Sequence, residues 1–119
     1  MAVAVMINKV VFTTPDLSDD HPEAQVLRYQ FQRFGLRECF AGPVTIVACF
    51  EANSRVAEAV AEPGLGRVLL VDGRESLDRS LLGDNLARSA AAQGWSGIVV
   101  IGAVRDVEII DTIDIGVLS

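Results

Sequence analysis

From residue 38 onward the chain alternates apolar runs with stretches of helical periodicity. "ECFAGPVTIVACF" is followed by "EANSRVAEAVAEPGLGR", then by "RVLLVDG", by a helical stretch over 84–93 and by "GIVVIGAV". Short runs rich in Val and Ile, with little polar alternation, suit strands covered on both faces. Strand–helix–strand–helix–strand predicts an α/β domain whose sheet is at least partly parallel. The first helix is capped by Asn53 or Ser54, buries Val56, Val60 and its alanines, and ends at Pro63-Gly64. The second places Leu86, Ala87, Ala90 and Ala91 on one side, with Gly94 as its stop. The strand over "ECFAGPVTIVACF" is expected to be bent or interrupted at Gly42-Pro43, because proline cannot donate within a central ladder. "RESLDRSLL" reads as a loop or short helix, "DVEIIDTI" as a helical turn and "IGVLS" as a short apolar tail.

The N-terminal third is less patterned. Residues 2–12 contain four valines and Ile7 and are expected to form one N-terminal strand buried on both faces. "TTPDLSDDHPEAQ" has the chemistry of a loop, and "QVLRYQFQRFGLR" fits neither the helix nor the strand period.

A chain of 119 residues, half of them apolar, is a single domain (1–119) with a modest core. Its net charge of −6 and lack of a basic run argue against nonspecific nucleic-acid binding, which needs cations to displace counterions. "MAVAVMINKVVF" lacks a basic n-region and is too short to span a bilayer, so no export or membrane insertion is expected. Cys39 and Cys49, without CxxC spacing, read as buried thiols of a reducing cytoplasm.

Candidate catalytic groups are few. The single histidine, His21, lies in a Pro- and Asp-rich loop, so neither a histidine-rich zinc site nor a Ser-His-Asp triad has support. The only lysine, Lys9, sits in the expected first strand, which disfavours a Schiff-base route. "GLGR" precedes a strand rather than opening a helix and is not a dinucleotide fingerprint.

The stretch "GDNLARSAAAQGWSGIVVIGAVRD", residues 83–106, is different. Gly83-Asp84-Asn85-Leu86-Ala87 opens a helix, whose first amides lack intrahelical partners and whose dipole favours an anion. Gly83 lets a ligand approach the backbone closely. Asp84 reads in isolation as a simple cap, and Arg105-Asp106 as a surface ion pair. Taken together they supply an anion cradle, a fixed cation and two hard oxygen ligands, a set that suits Mg²⁺ or Mn²⁺.

Asp84, twenty intervening residues and then Arg105-Asp106 resembles the D-x20-R-D signature of class II pyruvate aldolases of the 4-hydroxy-4-methyl-2-oxoglutarate aldolase type. These share their fold with the regulator of ribonuclease activity A. "TPDLSDDHP", "FAGPVTIVACFEANS", "GRVLLVDG", "LLGDNLA", "GWSGIVVIGAVRDV" and "IDIGV" resemble the same superfamily, covering about residues 13–117. The resemblance implies a compact β/β/α sandwich of the swivelling-domain type, assembled as trimers or dimers of trimers with active sites between subunits. It also implies that Asp106 ligates a divalent cation, Mg²⁺ or Mn²⁺, and that Asp84 holds a metal-bound water. Arg105 would contact the keto oxygen of a small 2-oxo acid, and the amides of Asn85, Leu86 and Ala87 would cradle its carboxylate beside Gly83. The implied activity is lyase cleavage of 4-hydroxy-2-oxo acids to pyruvate, with oxaloacetate decarboxylation through the same enolate. The alternative is the family's non-catalytic branch, which binds and inhibits an endoribonuclease and tends to lack the metal-site aspartates. Three departures from the family pattern stand out. The family continues past "DIGV", so this chain reads as a C-terminally short member in which the apolar N terminus either replaces a missing strand or leaves an unpaired edge. Arg74 and Glu75 occupy a loop that is usually glycine-rich, where they are expected to narrow substrate access or alter a subunit contact. Leu36 stands where glycine is usual.

Overall fold

The computed structural model describes residues 3–7, 10–14, 25–26, 31–37, 39–49, 54–74, 77 and 80–119. In chain order the elements are β1 (Val3–Ile7), β2 (Val10–Thr14), β3 (Gln25–Val26), β4 (Arg33–Phe34), β5 (Ala41–Ala48), α1 (Ser54–Val60) and β6 (Val68–Asp72). They continue with β7 (Ser80–Leu82), α2 (Asp84–Ala92), β8 (Gly97–Ile101), β9 (Ala103–Val104), α3 (Val107–Ile110) and β10 (Gly116–Leu118). The fold is mixed α/β with a partly parallel sheet, as the alternation of apolar runs predicts. An eight-stranded sheet has the order β3-β1-β2-β5-β6-β8-β10-β4, and β7 and β9 form a second, two-stranded sheet. β5, β6, β8 and β10 run parallel, with Val44 opposite Val68, Leu69 opposite Ile98 and Val117 opposite Ile98. No helix among the described residues is long and apolar enough to cross a membrane.

Strand alternation divides the core between the two sheet faces. Leu69 and Val71 of β6, Ile98 and Val100 of β8 and Val117 of β10 face the helices, where they meet Val56 and Val60 of α1 and Ala87 and Ala90 of α2. Val68, Leu70, Val99, Ile101 and Leu118 face the other way and pack with Phe31 and Phe40. Continuous burial from Val68 to Val71 in β6 and along all of β8 is what a run without polar alternation requires once both faces are covered.

On the second face Phe40 lies across Gly97 and Gly116, which are register partners in β8 and β10. A Cβ on either glycine would run into the Phe40 ring. Gly116→Ala is therefore expected to lower stability by about 1–3 kcal/mol through overpacking. In urea unfolding this appears as a lower midpoint at unchanged slope. An unchanged midpoint would show that Phe40 moves aside freely.

Several sequence expectations are corrected. The single N-terminal strand expected over 1–12 is an antiparallel pair, β1 and β2, with Val3 opposite Thr14 and Ile7 opposite Val10. β5 runs unbroken through Gly42-Pro43; its partner changes there instead. Ala41, Gly42 and Pro43 pair with β2, and Val44–Ala48 pair with β6. The missing proline donor thus falls where one ladder hands over to the next. "GIVVIGAV" is two strands rather than one, separated at Gly102: β8 lies in the main sheet and β9 pairs with β7. The tail expected after "DVEIIDTI" holds β10, paired on one side with β8 and on the other with β4.

Candidate active site

The parallel strands set two ends to the sheet. At the end where β6 and β8 begin, the Arg67 guanidinium stacks 4.6 Å from the Trp95 ring centroid and donates to the Pro63 and Gly64 carbonyls and the Thr45 hydroxyl. At the opposite end, where β6 and β8 finish, lie the groups singled out by charge and spacing. Ligand sites of α/β sheets gather at the carboxyl ends of strands.

The break at Gly102 puts those groups together. β8 leaves the main sheet as β9, which runs parallel to β7, with Ser80 opposite Ala103 and Leu82 opposite Val104. The Arg105 amide donates to the Leu82 carbonyl at 2.9 Å. Residues 82 and 105 are thereby fixed side by side, and Gly83 and Asp84 follow directly from one while Asp106 follows from the other. The two ends of "GDNLARSAAAQGWSGIVVIGAVRD" become one locus.

Gly83 shows how close that approach is. A Cβ at this position would lie 2.8 Å from Arg105 Nε and 3.4 Å from an Asp106 carboxylate oxygen. The backbone at Gly83 is extended, with φ −121 and ψ −175, a conformation open to any residue. Space for the Arg105 and Asp106 side chains, not backbone freedom, is therefore what glycine provides here.

Gly83 is also the N-cap of α2, and no side chain caps the helix. Asp84 is its first residue rather than its cap, which sets aside the simple capping reading. The Ala87 amide closes the first turn on the Gly83 carbonyl at 3.1 Å. Of the three amides expected to cradle a carboxylate, Ala87's is thus engaged within the chain, and those of Asn85 and Leu86 come before this first intrahelical donor. α2 ends as its sequence predicts. Gly94 adopts φ +86, its amide bonds Ala91 O and the Trp95 amide bonds Ala90 O, the two bonds of a Schellman motif. The side of Leu86, Ala87, Ala90 and Ala91 faces the core as expected.

The Asp84 carboxylate, with its side chain 21% exposed, lies 3.5 Å from Arg88 one turn along the helix. That pairing escaped the sequence reading, although the i,i+4 spacing was there to find it. Asp106, 41% exposed, lies 3.6 Å from Arg105 Nε. Its backbone is left-handed, φ 57 and ψ 38, and its carbonyl accepts from the Ile109 and Ile110 amides at the start of α3. Aspartate is among the few non-glycine residues that tolerate this region, at some cost in strain, and such strain concentrates at functional sites.

The donor set fits a hard divalent cation. Two partly exposed carboxylates on adjacent segments offer oxygen ligands of the kind Mg²⁺ and Mn²⁺ take. No group of three His, Cys, Asp or Glu comes together among the described residues. Water and substrate would complete the shell.

Other candidates fall elsewhere. His21, Lys9 and Glu75 lie outside the described residues. Arg74 follows Gly73 with φ 56, a conformation that favours glycine, and its amide bonds the Asp72 carboxylate at 3.1 Å. Both cysteines are free, but only Cys49 is buried; Cys39 is exposed, contrary to expectation. Burial pushes the Cys49 thiol up, Asp72 adds to the rise and Arg55 opposes it, so Cys49 is a poor nucleophile. Leu36 follows Gly35, whose φ is 88, and is itself exposed.

Comparison with known proteins identifies the family and agrees with the fold. Residues 14–119 match the RraA-like family, described as Aldolase/RraA. A Xanthomonas campestris protein provisionally named a 4-hydroxy-4-methyl-2-oxoglutarate aldolase is 47% identical over 92% of this chain. A Pseudomonas aeruginosa protein with the same provisional name is 51% identical over 89% of it. The chain spans 66% of the length of each of these relatives. Among solved structures, the RNA-processing inhibitor RraA from Thermus thermophilis superposes with a TM-score of 0.81 at 48% identity, covering 84% of this chain and 61% of that one. A Geobacillus kaustophilus structure described as an S-adenosylmethionine: 2-dimethylmenaquinone methyltransferase gives 0.74 at 41% identity, covering 79% and 58%. With its fold, its joined Asp84 and Arg105-Asp106 segments and this match over most of its length, the chain belongs to the RraA-like family.

Proposed function

We propose that the chain carries the metal-binding half of a divalent-cation-dependent lyase that cleaves 4-hydroxy-2-oxo acids of the 4-hydroxy-4-methyl-2-oxoglutarate type to pyruvate, and that the same site decarboxylates oxaloacetate. The observation that carries the proposal is the pairing of β7 with β9 and the Arg105–Leu82 backbone bond, which set Gly83-Asp84 beside Arg105-Asp106 at the carboxyl end of the sheet. The names of the Xanthomonas and Pseudomonas relatives support it. Assembly into a trimer or dimer of trimers, with neighbouring subunits completing the site, belongs to the same proposal.

Either reaction breaks the C3–C4 bond of the 2-oxo acid and leaves the electron pair as a pyruvate enolate; C4 departs as CO₂ from oxaloacetate, or as the ketone of a second pyruvate once the 4-hydroxyl has given up its proton. Arg105 would donate to the keto oxygen on which that charge collects, a contribution of several kcal/mol when the donor is already oriented. The Leu82 carbonyl holds the Arg105 backbone, and the absent Gly83 side chain leaves room for its guanidinium. The amides of Asn85 and Leu86, at the positive end of α2, suit the substrate carboxylate. Asp106 would ligate the cation and Asp84 would hold it through a water; when bound, the cation would supply Lewis-acid polarisation of the keto acid. Protonation of the enolate carbon then releases pyruvate.

The test is pyruvate release from 4-hydroxy-4-methyl-2-oxoglutarate and from oxaloacetate, with Mg²⁺ and with chelator, in wild type and Asp106→Ala. Chelator-sensitive turnover that disappears in the variant is expected. A folded protein with no turnover above the cation's own background would overturn the proposal. A second reading, inhibition of an endoribonuclease by protein contact, draws on the likeness to the RNA-processing inhibitor. It requires inhibition that Asp106→Ala leaves intact.

A further inference from the structure

Both carboxylates of the site are matched to an arginine, but the two arginines differ in position. Arg105 sits beside the sheet end with Asp106. Arg88 reaches back along α2 to within 3.5 Å of Asp84 while remaining 57% exposed. A purely structural ion pair on a helix surface contributes little. A guanidinium next to a cation ligand has a larger consequence, because it repels the cation and attracts an anionic substrate. We propose that Arg88 is a positioning residue that holds the Asp84 carboxylate and sets the balance of the site, weakening capture of the free divalent cation while strengthening capture of the dianionic 2-oxo acid.

This inference rests on the metal-dependent lyase reading. The geometry makes it specific to Arg88. Arg67 is tied down at the far end of the sheet, and Arg37 pairs with Asp114 near the β4 turn. Arg88 lies one turn from Asp84 on the same side of α2, so its charge acts on both partners of the reaction with opposite sign. An ordinary helix-stabilising arginine would shift neither affinity in a crossed manner.

The test uses the full chain and measures Mn²⁺ binding directly, by electron paramagnetic resonance of the free ion without substrate, alongside KM and kcat for oxaloacetate. At low salt, Arg88→Gln is expected to bind Mn²⁺ about three- to tenfold more tightly and to raise KM by a similar factor. Arg88→Lys should restore both values towards wild type, and raised salt should shrink both effects. Arg37→Gln removes the same formal charge elsewhere and should change neither. Equal Mn²⁺ affinity and KM in Arg88→Gln and wild type, with wild type binding Mn²⁺, would overturn the role of Arg88 alone. A wild type that binds no Mn²⁺ would overturn the site reading beneath it.

Discussion

Asp106→Gly is expected to abolish chelator-sensitive pyruvate release while making the protein more stable than Asp106→Ala. The two effects have separate causes. Removing the carboxylate deletes the proposed cation ligand, and loss of several kcal/mol of transition-state stabilisation corresponds to a fall of about 100-fold or more in kcat. The stability difference comes from the backbone. Asp106 holds φ 57, a region that costs a non-glycine residue about 1 kcal/mol and glycine almost nothing. Alanine keeps that strain and glycine releases it. The partly exposed contact with Arg105, lost in both variants, contributes little to either. In thermal unfolding the glycine variant should melt a few degrees above the alanine variant, on the order of 4 °C for a domain of this size. Equal melting temperatures would mean that the left-handed conformation at Asp106 carries no strain.

Gly83→Ala should also separate activity from stability. The extended backbone at Gly83 accepts alanine, and reduced freedom of the unfolded chain favours the variant by about 0.4–1 kcal/mol. The added methyl would meet Arg105 Nε at 2.8 Å. The far end of a flexible arginine can move away at little cost to folding, but it then leaves the place proposed for its contact with the enolate oxygen. Displacement by about 1 Å is enough to lower kcat roughly 100-fold. Undiminished kcat in a folded Gly83→Ala protein would show that Arg105 is not held in place by the space at Gly83.

How far the sequence reveals this arrangement depends on how local each feature is. The end of α2 at Gly94 and the buried side carrying Ala87 and Ala90 follow from a few neighbouring residues, and both are seen. The parallel ladder of β5, β6 and β8 follows from apolar runs separated by helices. The break at Gly102 does not, because "GIVVIGAV" is apolar throughout and its last residues are claimed by β7 rather than by the main sheet. β4 is equally hidden. Arg33 and Phe34 pair with Leu118 and Val117 at the other end of the chain, a contact that no local period encodes. The spacing of Asp84 and Arg105-Asp106 marks the candidate site in the sequence, but the reason for Gly83 becomes visible only when β7 and β9 lie side by side. Arg74 illustrates the same limit. Its left-handed backbone explains why glycine suits that loop, yet nothing in the structure explains why arginine stands there.

Paramagnetic broadening of backbone amide resonances by substoichiometric Mn²⁺ tests whether residues 83–86 and 105–106 form one cation site. Gly83, Asp84, Asn85, Leu86, Arg105 and Asp106 are expected to broaden together, with the Trp95 indole at the far end of the sheet unaffected and the effect absent in Asp106→Ala. Broadening of only one of the two segments, or of neither while other acidic residues respond, would show that the two segments do not share a cation.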